Sequence, residues 1–282
     1  MGRQLATVAI GFVSGIMSGL FGIGGGVVTT PAIRLFLDAP ALVAVGTPLV
    51  AIIPSAITGA VSYARKRMAD VRAGVILGLS GALTAILGAW GTRLVGGTTV
   101  LVATAALIFY VSIDMLLQAF RPPRLGLEAA EEADAVRPPR DIEGRPALGP
   151  VTPDDAPHPR LIALVAAGIL TGFYSGFLGL GGGFVLVPLL TRWLHFPLKR
   201  AIGTSLISIA ILSVPATLTH ALLGNIDWLM GLALVIGVIP GAALGARMGL
   251  GTSEKILRIG FAALLGAVGV WLATSELMGL AV

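Results

Sequence analysis

The stretch Tyr174–Pro188, YSGFLGLGGGFVLVP, places five glycines within eight residues in the middle of an apolar region. Glycine destabilises a helix interior by about 1 kcal/mol relative to alanine, so this run predicts a break between two helices. The same pattern occurs 157 residues earlier as MSGLFGIGGGVVTTP, Met17–Pro31. The two stretches therefore predict two helix breaks at equivalent places in the chain.

The repeat extends well beyond the glycine motif. Residues 11–91 align with residues 168–248 without a gap, and 25 of the 81 positions are identical. The identities include charged positions, such as Asp70 with Asp227, which a shared apolar composition would not place in one register. The chain is therefore interpreted as an internal duplication. Its expected parts are a first transmembrane repeat (1–120), a charged linker (121–160) and a second transmembrane repeat (161–282).

The composition indicates a membrane protein. Of 282 residues, 56% are hydrophobic and 12% are charged, with a mean hydropathy of +0.94. Soluble domains carry about twice that charged fraction, and a membrane-spanning helix needs roughly 20 apolar residues. Six such spans are predicted, at Leu42–Ala64, Ala73–Thr92, Thr98–Ala119, Ala201–Leu222, Leu229–Met248 and Ile256–Thr274. The chain has no cysteine and three histidines, so we expect neither disulfides nor a metal site.

The distribution of basic residues predicts the orientation in the membrane. Four segments (65–72, 121–160, 192–200 and 247–258) hold 16 of the 19 Lys and Arg residues. Cytoplasmic loops carry an excess of these residues, so we expect the four segments in the cytoplasm and both termini outside. The pI near 10.2 also suggests a nucleic-acid partner, but this distribution favours the loop interpretation. We expect no nucleic-acid partner.

This orientation makes the two repeats antiparallel. The linker and the loop 192–200 lie on the same side, so the glycine-rich segment between them must enter the membrane and return. Its second arm, Phe184–Leu194, is too short to span at 1.5 Å per residue. The predicted fold is an all-α polytopic membrane protein of two inverted repeats. Each repeat has a glycine-tipped broken-helix hairpin and three transmembrane helices, which gives eight to ten membrane segments.

The glycine turns are candidate anion sites. Irregular backbone at membrane depth is tolerated where protein buries it or where it lines a polar cavity. Successive N–H groups before a helix N-terminus favour an anion, although close helix packing is the alternative for any glycine in a membrane. For the stripes Gly11, Gly15, Gly19 and Gly168, Gly172, Gly176 we expect that packing role. The expected substrate-binding glycines are Gly22, Gly24, Gly25, Gly26, Gly179, Gly181, Gly182 and Gly183.

Hydroxyl side chains near these turns extend the candidate site. Gly46-Thr47 and Gly203-Thr204 resemble helix starts within the membrane, with Thr47, Thr204 and Ser205 facing the substrate. The alternative is that each threonine bonds its own backbone one turn back. Ser18 and Ser175, four residues before the turns, add hydroxyl donors or pack helices together.

Five further polar positions have structural or functional interpretations. Asp114 lies within a predicted span and is a candidate coupling residue, although pairing with Gln118 or a nearby arginine is the structural alternative. Asp70 and Asp227 begin helices, where a carboxylate caps the N-terminus. Tyr63 and His220, an equivalent pair in the repeat, are expected to anchor helix ends at the membrane interface.

The motifs SGLFGIGGGVVTTP and SGFLGLGGGFVLVP, each followed by a Gly-Thr pair, resemble the duplicated signature of the TauE/SafE family of sulfite exporters. The resemblance covers about residues 5–120 and 160–280. It implies a multi-pass transporter of small sulfur-containing anions, sulfite or organosulfonates such as sulfoacetate, in a bacterial or archaeal plasma membrane.

Residues and resemblance together predict a secondary transporter that exports such anions by alternating access. The alternatives are a transporter of another small solute or a cation, and a non-transporting membrane scaffold. No catalytic triad or paired catalytic carboxylate occurs in the sequence, so we expect no enzyme. The expected partners are a small anion, membrane lipid, a proton or sodium ion for coupling, and a second copy of the chain. No cofactor is expected.

Overall fold

The computed structural model describes residues 2–95, 97–120, 161–178 and 181–277, and these contain ten α-helices. Gly179 and the predicted linker 121–160 lie outside the described residues. The helices of the first half are α1 (Gly2–Phe21), α2 (Gly26–Leu37), α3 (Ala41–Arg65), α4 (Val71–Val95) and α5 (Gly97–Phe120). Those of the second half are α6 (Leu161–Leu178), α7 (Gly183–Arg192), α8 (Leu198–Leu222), α9 (Trp228–Gly251) and α10 (Glu254–Leu277). Each of the six predicted spans is found as a helix, α3, α4, α5, α8, α9 or α10.

Six of the described helices are long and apolar enough to cross a membrane, namely α1, α3, α4, α6, α8 and α9. α1 and α6 were expected as the first arms of hairpins, and with 20 and 18 residues they satisfy this criterion themselves. The returning helices α2 and α7 have only 12 and 10 residues, or about 18 and 15 Å at 1.5 Å per residue. A long helix, a glycine turn and a short helix therefore follow one another in both halves.

The helices of the two halves pack against each other rather than forming two separate bundles. α1 lies along α9, α6 lies along α4, and α5 packs on α10. α3 contacts both α8 and α9, and α4 contacts α8. In the repeat register α1 corresponds to α6 and α9 to α4, so the first two pairs are equivalent contacts, and each joins one half to the other.

Glycine stripes bring these paired helices together. A Cβ placed on Gly11 would lie 2.5 Å from the carbonyl oxygen of Leu234 in α9. One placed on Gly172 would lie 2.5 Å from Cα of Gly81 in α4. Side chains at these positions would hold the backbones apart, so the predicted packing role of the glycine stripes is confirmed.

The outward faces of the bundle are apolar. On α4, Leu79, Leu83 and Leu87 are exposed at a spacing of four residues, which places them on one face of the helix. Leu232 and Ile236 are exposed on α9. A continuous apolar surface of this kind is stable against lipid, and the described helices fit a multi-pass membrane protein.

Candidate functional site

Each glycine turn starts its short helix from left-handed backbone. Gly24 and Gly25 have φ of 76° and 84°, and Gly181 and Gly182 have φ of 78° and 71°. Only glycine adopts these angles without strain. Gly25 and Gly182 are the N-cap residues of α2 and α7, so the sequence folds locally as the glycine pattern predicted.

The two turns touch each other although they lie far apart in the chain. A Cβ on Gly183 would clash with the carbonyl oxygen of Gly22 and lie 2.8 Å from Cα of Ile23. The first N–H groups of an α-helix have no partner within that helix and form its positive end. The turns therefore place the positive end of α7 against the residues that lead into α2.

Two isoleucines fill the space against the turns. A Cβ on Gly24 would lie 3.1 Å from Cγ2 of Ile209 and 3.2 Å from Cγ2 of Ile52, and one on Gly181 would lie 3.1 Å from Cδ1 of Ile52. Ile52 is 1% exposed and Ile209 is 0% exposed. Sequence reasoning missed this pair, although the signal was available, because both positions hold isoleucine in the repeat register. Ile52 and Ile209 therefore close the meeting point, the place where the two glycine turns touch, in this conformation.

The predicted serines have different surroundings. Ser205 Oγ lies 3.0 Å from the Gly22 carbonyl oxygen and 2.8 Å from that of Ile202, which ties α8 to the first turn. Ser18 and Ser55 share a hydrogen bond of 2.7 Å. Ser175 is 0% exposed, and its hydroxyl has no hydrogen-bond partner. The hydroxyls of Ser18 and Ser175 thus differ although the repeat makes the two residues equivalent.

The prediction that helices start at the Gly-Thr pairs is wrong. Thr47 and Thr204 lie inside α3 and α8, which begin earlier, after the N-cap residues Pro40 and Pro197. The alternative, a bond to the residue's own backbone, is not what these hydroxyls make. Thr47 Oγ1 accepts a 3.0 Å hydrogen bond from the Asp227 N–H, and Thr204 Oγ1 accepts a 2.9 Å bond from the Asp70 N–H.

The helix starts at Asp70 and Asp227 are capped as predicted. The Asp70 carboxylate accepts a 2.9 Å hydrogen bond from the Ala73 N–H, and the Asp227 carboxylate a 3.0 Å bond from the Met230 N–H. These bonds satisfy free N–H groups in the first turns of α4 and α9.

The Asp114 carboxylate accepts a 2.7 Å hydrogen bond from Gln118 and forms an ion pair with Arg192, the last residue of α7. Its predicted structural partners are therefore confirmed.

Tyr63 and His220 are not interface anchors, because both are 0% exposed. His220 Nε2 lies 3.2 Å from the Gly176 carbonyl oxygen, and its Nδ1 lies 3.3 Å from Asn225 Nδ2. The Tyr63 side chain packs with its Cβ beside Gly203 and its hydroxyl beside Gly249. Both side chains sit near a helix end yet face a neighbouring helix, which hydropathy alone cannot distinguish from an interface position.

An apolar pocket of about 330 Å³ lies between α1 and α9, away from the turns, and it includes Leu5, Leu229 and Ile236. Among the described residues no group of three or more His, Cys, Asp or Glu could hold a metal ion.

Comparisons with known proteins agree with this architecture. The family model described as sulfite exporter TauE/SafE matches residues 7–272. The chain is 27% identical over 256 residues to "Probable membrane transporter protein YunE" of Bacillus subtilis, which covers 88% of each chain. It is 24% identical over 279 residues to "Probable membrane transporter protein MJ0441" of Methanocaldococcus jannaschii, covering 94% of this chain and 93% of that protein. No solved structure matches the chain.

Proposed function

The chain belongs to the sulfite exporter TauE/SafE family, and we propose that it exports small sulfur-containing anions, sulfite or organosulfonates, across a bacterial plasma membrane. The observation that carries this proposal is the contact between the two glycine turns from which α2 and α7 begin. A positive helix end at each turn favours a negative ligand there. Relatives with transporter names cover the same length of chain, which supports transport rather than a scaffold role.

In the proposed site, backbone N–H groups hold the anion. The glycines of both turns allow a ligand to approach main chain that side chains would otherwise cover. Such a site neutralises charge with partial dipoles rather than with a buried lysine or arginine, so binding remains weak enough for release. The hydroxyls of Thr47 and Thr204 bond the opposite half, and we assign them to the support of the bundle.

Transport would proceed by alternating access between two inverted repeats. This mechanism is supported by the equivalent pairings α1–α9 and α6–α4 and by the mirrored bonds from the Asp227 N–H to Thr47 and from the Asp70 N–H to Thr204. Because Ile52 and Ile209 close the meeting point, the structure represents a closed state in this scheme. Movement of α3 and α8 away from the turns would admit the anion from one side or the other.

A thermal-shift titration of the purified protein tests the proposal. Sulfite, sulfoacetate, taurine, sulfate and chloride are compared at equal ionic strength, because a ligand that binds the folded state raises its melting temperature. We expect sulfite or an organosulfonate to stabilise the protein and to exchange across proteoliposomes. Stabilisation only by a cation or an uncharged solute, with no anion exchange, would overturn the proposal.

A further inference from the structure

Ile52 and Ile209, which the repeat makes equivalent, each contact both glycine turns. At the first turn, a Cβ placed on Gly24 would lie 3.2 Å from Cγ2 of Ile52 and 3.1 Å from Cγ2 of Ile209. At the second turn, a Cβ placed on Gly181 would lie 3.2 Å from Cγ2 of Ile52 and 3.5 Å from Cγ2 of Ile209. Each turn is therefore covered by one side chain from its own half and by one from the other half.

The side chain of Ile209 also covers the start of α7. A Cβ placed on Gly183, the first residue of that helix, would lie 2.5 Å from Cδ1 of Ile209. The first N–H groups of a helix have no partner within the helix, and a hydrocarbon side chain cannot accept a hydrogen bond from them. The isoleucine therefore occupies space in which an anion would interact more favourably with the helix start.

Burial alone does not distinguish this pair from the rest of the core. Ile108 is also 0% exposed, but it lies where α5 meets α10, with its Cγ2 3.3 Å from a Cβ placed on Gly269. It is not among the nearest neighbours of the glycines in either turn. The distinguishing feature of Ile52 and Ile209 is that both lie against left-handed glycines of both turns.

We propose that Ile52 and Ile209 form a gate that occupies the place of the anion in the ligand-free protein. The anion and the two side chains exclude each other, because both fill the space against Gly24 and Gly181. The apparent affinity for the anion is then reduced by the fraction of molecules in which the gate is withdrawn. The inference rests on the proposed function and names the side chains that control access to the same site.

Truncation of the gate should strengthen binding, which is the opposite of what loss of a binding residue does. Sulfite is titrated calorimetrically into purified wild type, Ile52→Ala and Ile209→Ala, with Ile108→Ala as the matched control. All three variants should melt at a lower temperature than the wild type, because each leaves a cavity in the core. We expect Ile52→Ala and Ile209→Ala to bind sulfite about tenfold more tightly, because withdrawal of a shorter side chain opposes binding less. Ile108→Ala should bind sulfite with wild-type affinity.

The milder changes Ile52→Val and Ile209→Val keep the test decisive if the alanine variants do not fold. Each should raise the affinity for sulfite in the same direction but by a smaller factor, because valine leaves more of the gate in place. Unchanged or weaker affinity in the folded variants at both positions would overturn the inference and leave the proposed function standing.

An equal gain of affinity in Ile108→Ala would also overturn the inference, because general loosening of the core would then explain the effect. If the wild-type protein itself binds no sulfur oxyanion, the proposed function fails, and the gate for that anion fails with it. The binding result for the wild type therefore separates the two failures.

Discussion

At the scale of single residues, Gly182 and Gly224 have the same backbone conformation but different surroundings. Their φ angles are 71° and 72°. A Cβ on Gly182 would lie 2.9 Å from Cγ2 of Thr171, whereas nothing lies within 4 Å of one on Gly224. Left-handed backbone costs an alanine about 1–2 kcal/mol at either position, and overpacking adds about 1–3 kcal/mol at Gly182 alone. We expect Gly182→Ala to lower the thermal stability clearly more than Gly224→Ala. Equal melting temperatures would show that the second turn is not tightly packed.

The buried threonines give a second residue-scale prediction. Thr47→Val and Thr204→Val preserve shape but remove the acceptors for the Asp227 and Asp70 N–H groups. Each change should cost about 1 kcal/mol of stability and leave the affinity for sulfite unchanged. A loss of affinity in a variant that melts like the wild type would place these hydroxyls in the substrate site instead.

At the scale of elements, glycine determines how closely α4 and α6 approach. Gly172 faces Gly81 directly, whereas a Cβ on Gly231 in α9 would make ordinary contact at 3.4 Å with Val50. Gly172→Ala should therefore destabilise the protein by about 1–3 kcal/mol through forced separation of the helices. Gly231→Ala should be neutral or stabilising, since alanine favours a helix by about 1 kcal/mol over glycine. Thermal melts of both variants in the same detergent test this comparison. A lower melting temperature for Gly231→Ala than for Gly172→Ala would contradict the close packing of α4 on α6.

The carboxylate of Asp114 joins two elements, α5 and the end of α7. We expect Asp114→Asn to lower stability by less than about 1 kcal/mol, because the Arg192 partner is half exposed and screened by solvent. Arg192→Gln should have the same effect. Transport measured against pH should keep its profile in both variants. A flattened profile in Asp114→Asn alone, at unchanged stability, would assign this residue to proton coupling.

The helices and turns were predictable because their causes are local, whereas the partners of Thr47 and Ser18 were not. Apolar length located α3, α4, α8 and α9 within a few residues, and glycine conformational freedom located both turns. The Thr47 hydroxyl meets a backbone group 180 residues away, and no local pattern encodes that contact. The Ser18–Ser55 bond likewise depends on how α1 and α3 cross. Packing of α1 against α3 within the first half engages the Ser18 hydroxyl, whereas the equivalent Ser175 hydroxyl has no partner.

At the scale of the whole molecule, the contacts that join the two proposed repeats differ between the two sides of the bundle. The Asp70 carboxylate forms a 2.9 Å ion pair with Arg200, which adds to the Thr204 bond between α4 and α8. The mirrored contact between Asp227 and Thr47 has no such pair, because Val43 occupies the position equivalent to Arg200. The distribution of basic residues predicts that the side with the ion pair is the cytoplasmic one. We therefore expect the contacts on the cytoplasmic side to hold the bundle closed more strongly than the mirrored contacts on the other side.

Arg200→Val copies the mirrored residue and should weaken cytoplasmic closure alone. The ion pair is partly buried and contributes about 1 kcal/mol, so the cytoplasm-open population should rise roughly fivefold.

The chain has no cysteine, so a single introduced cysteine can report on each side. Ser205→Cys, buried beside Gly22, should react about five times faster with a membrane-permeant thiol reagent in the Arg200→Val background. Pro48→Cys, at the mirrored position in α3, should not react faster. Acceleration at both positions would indicate general loosening of the bundle, and acceleration at neither would contradict closure by the Asp70–Arg200 pair.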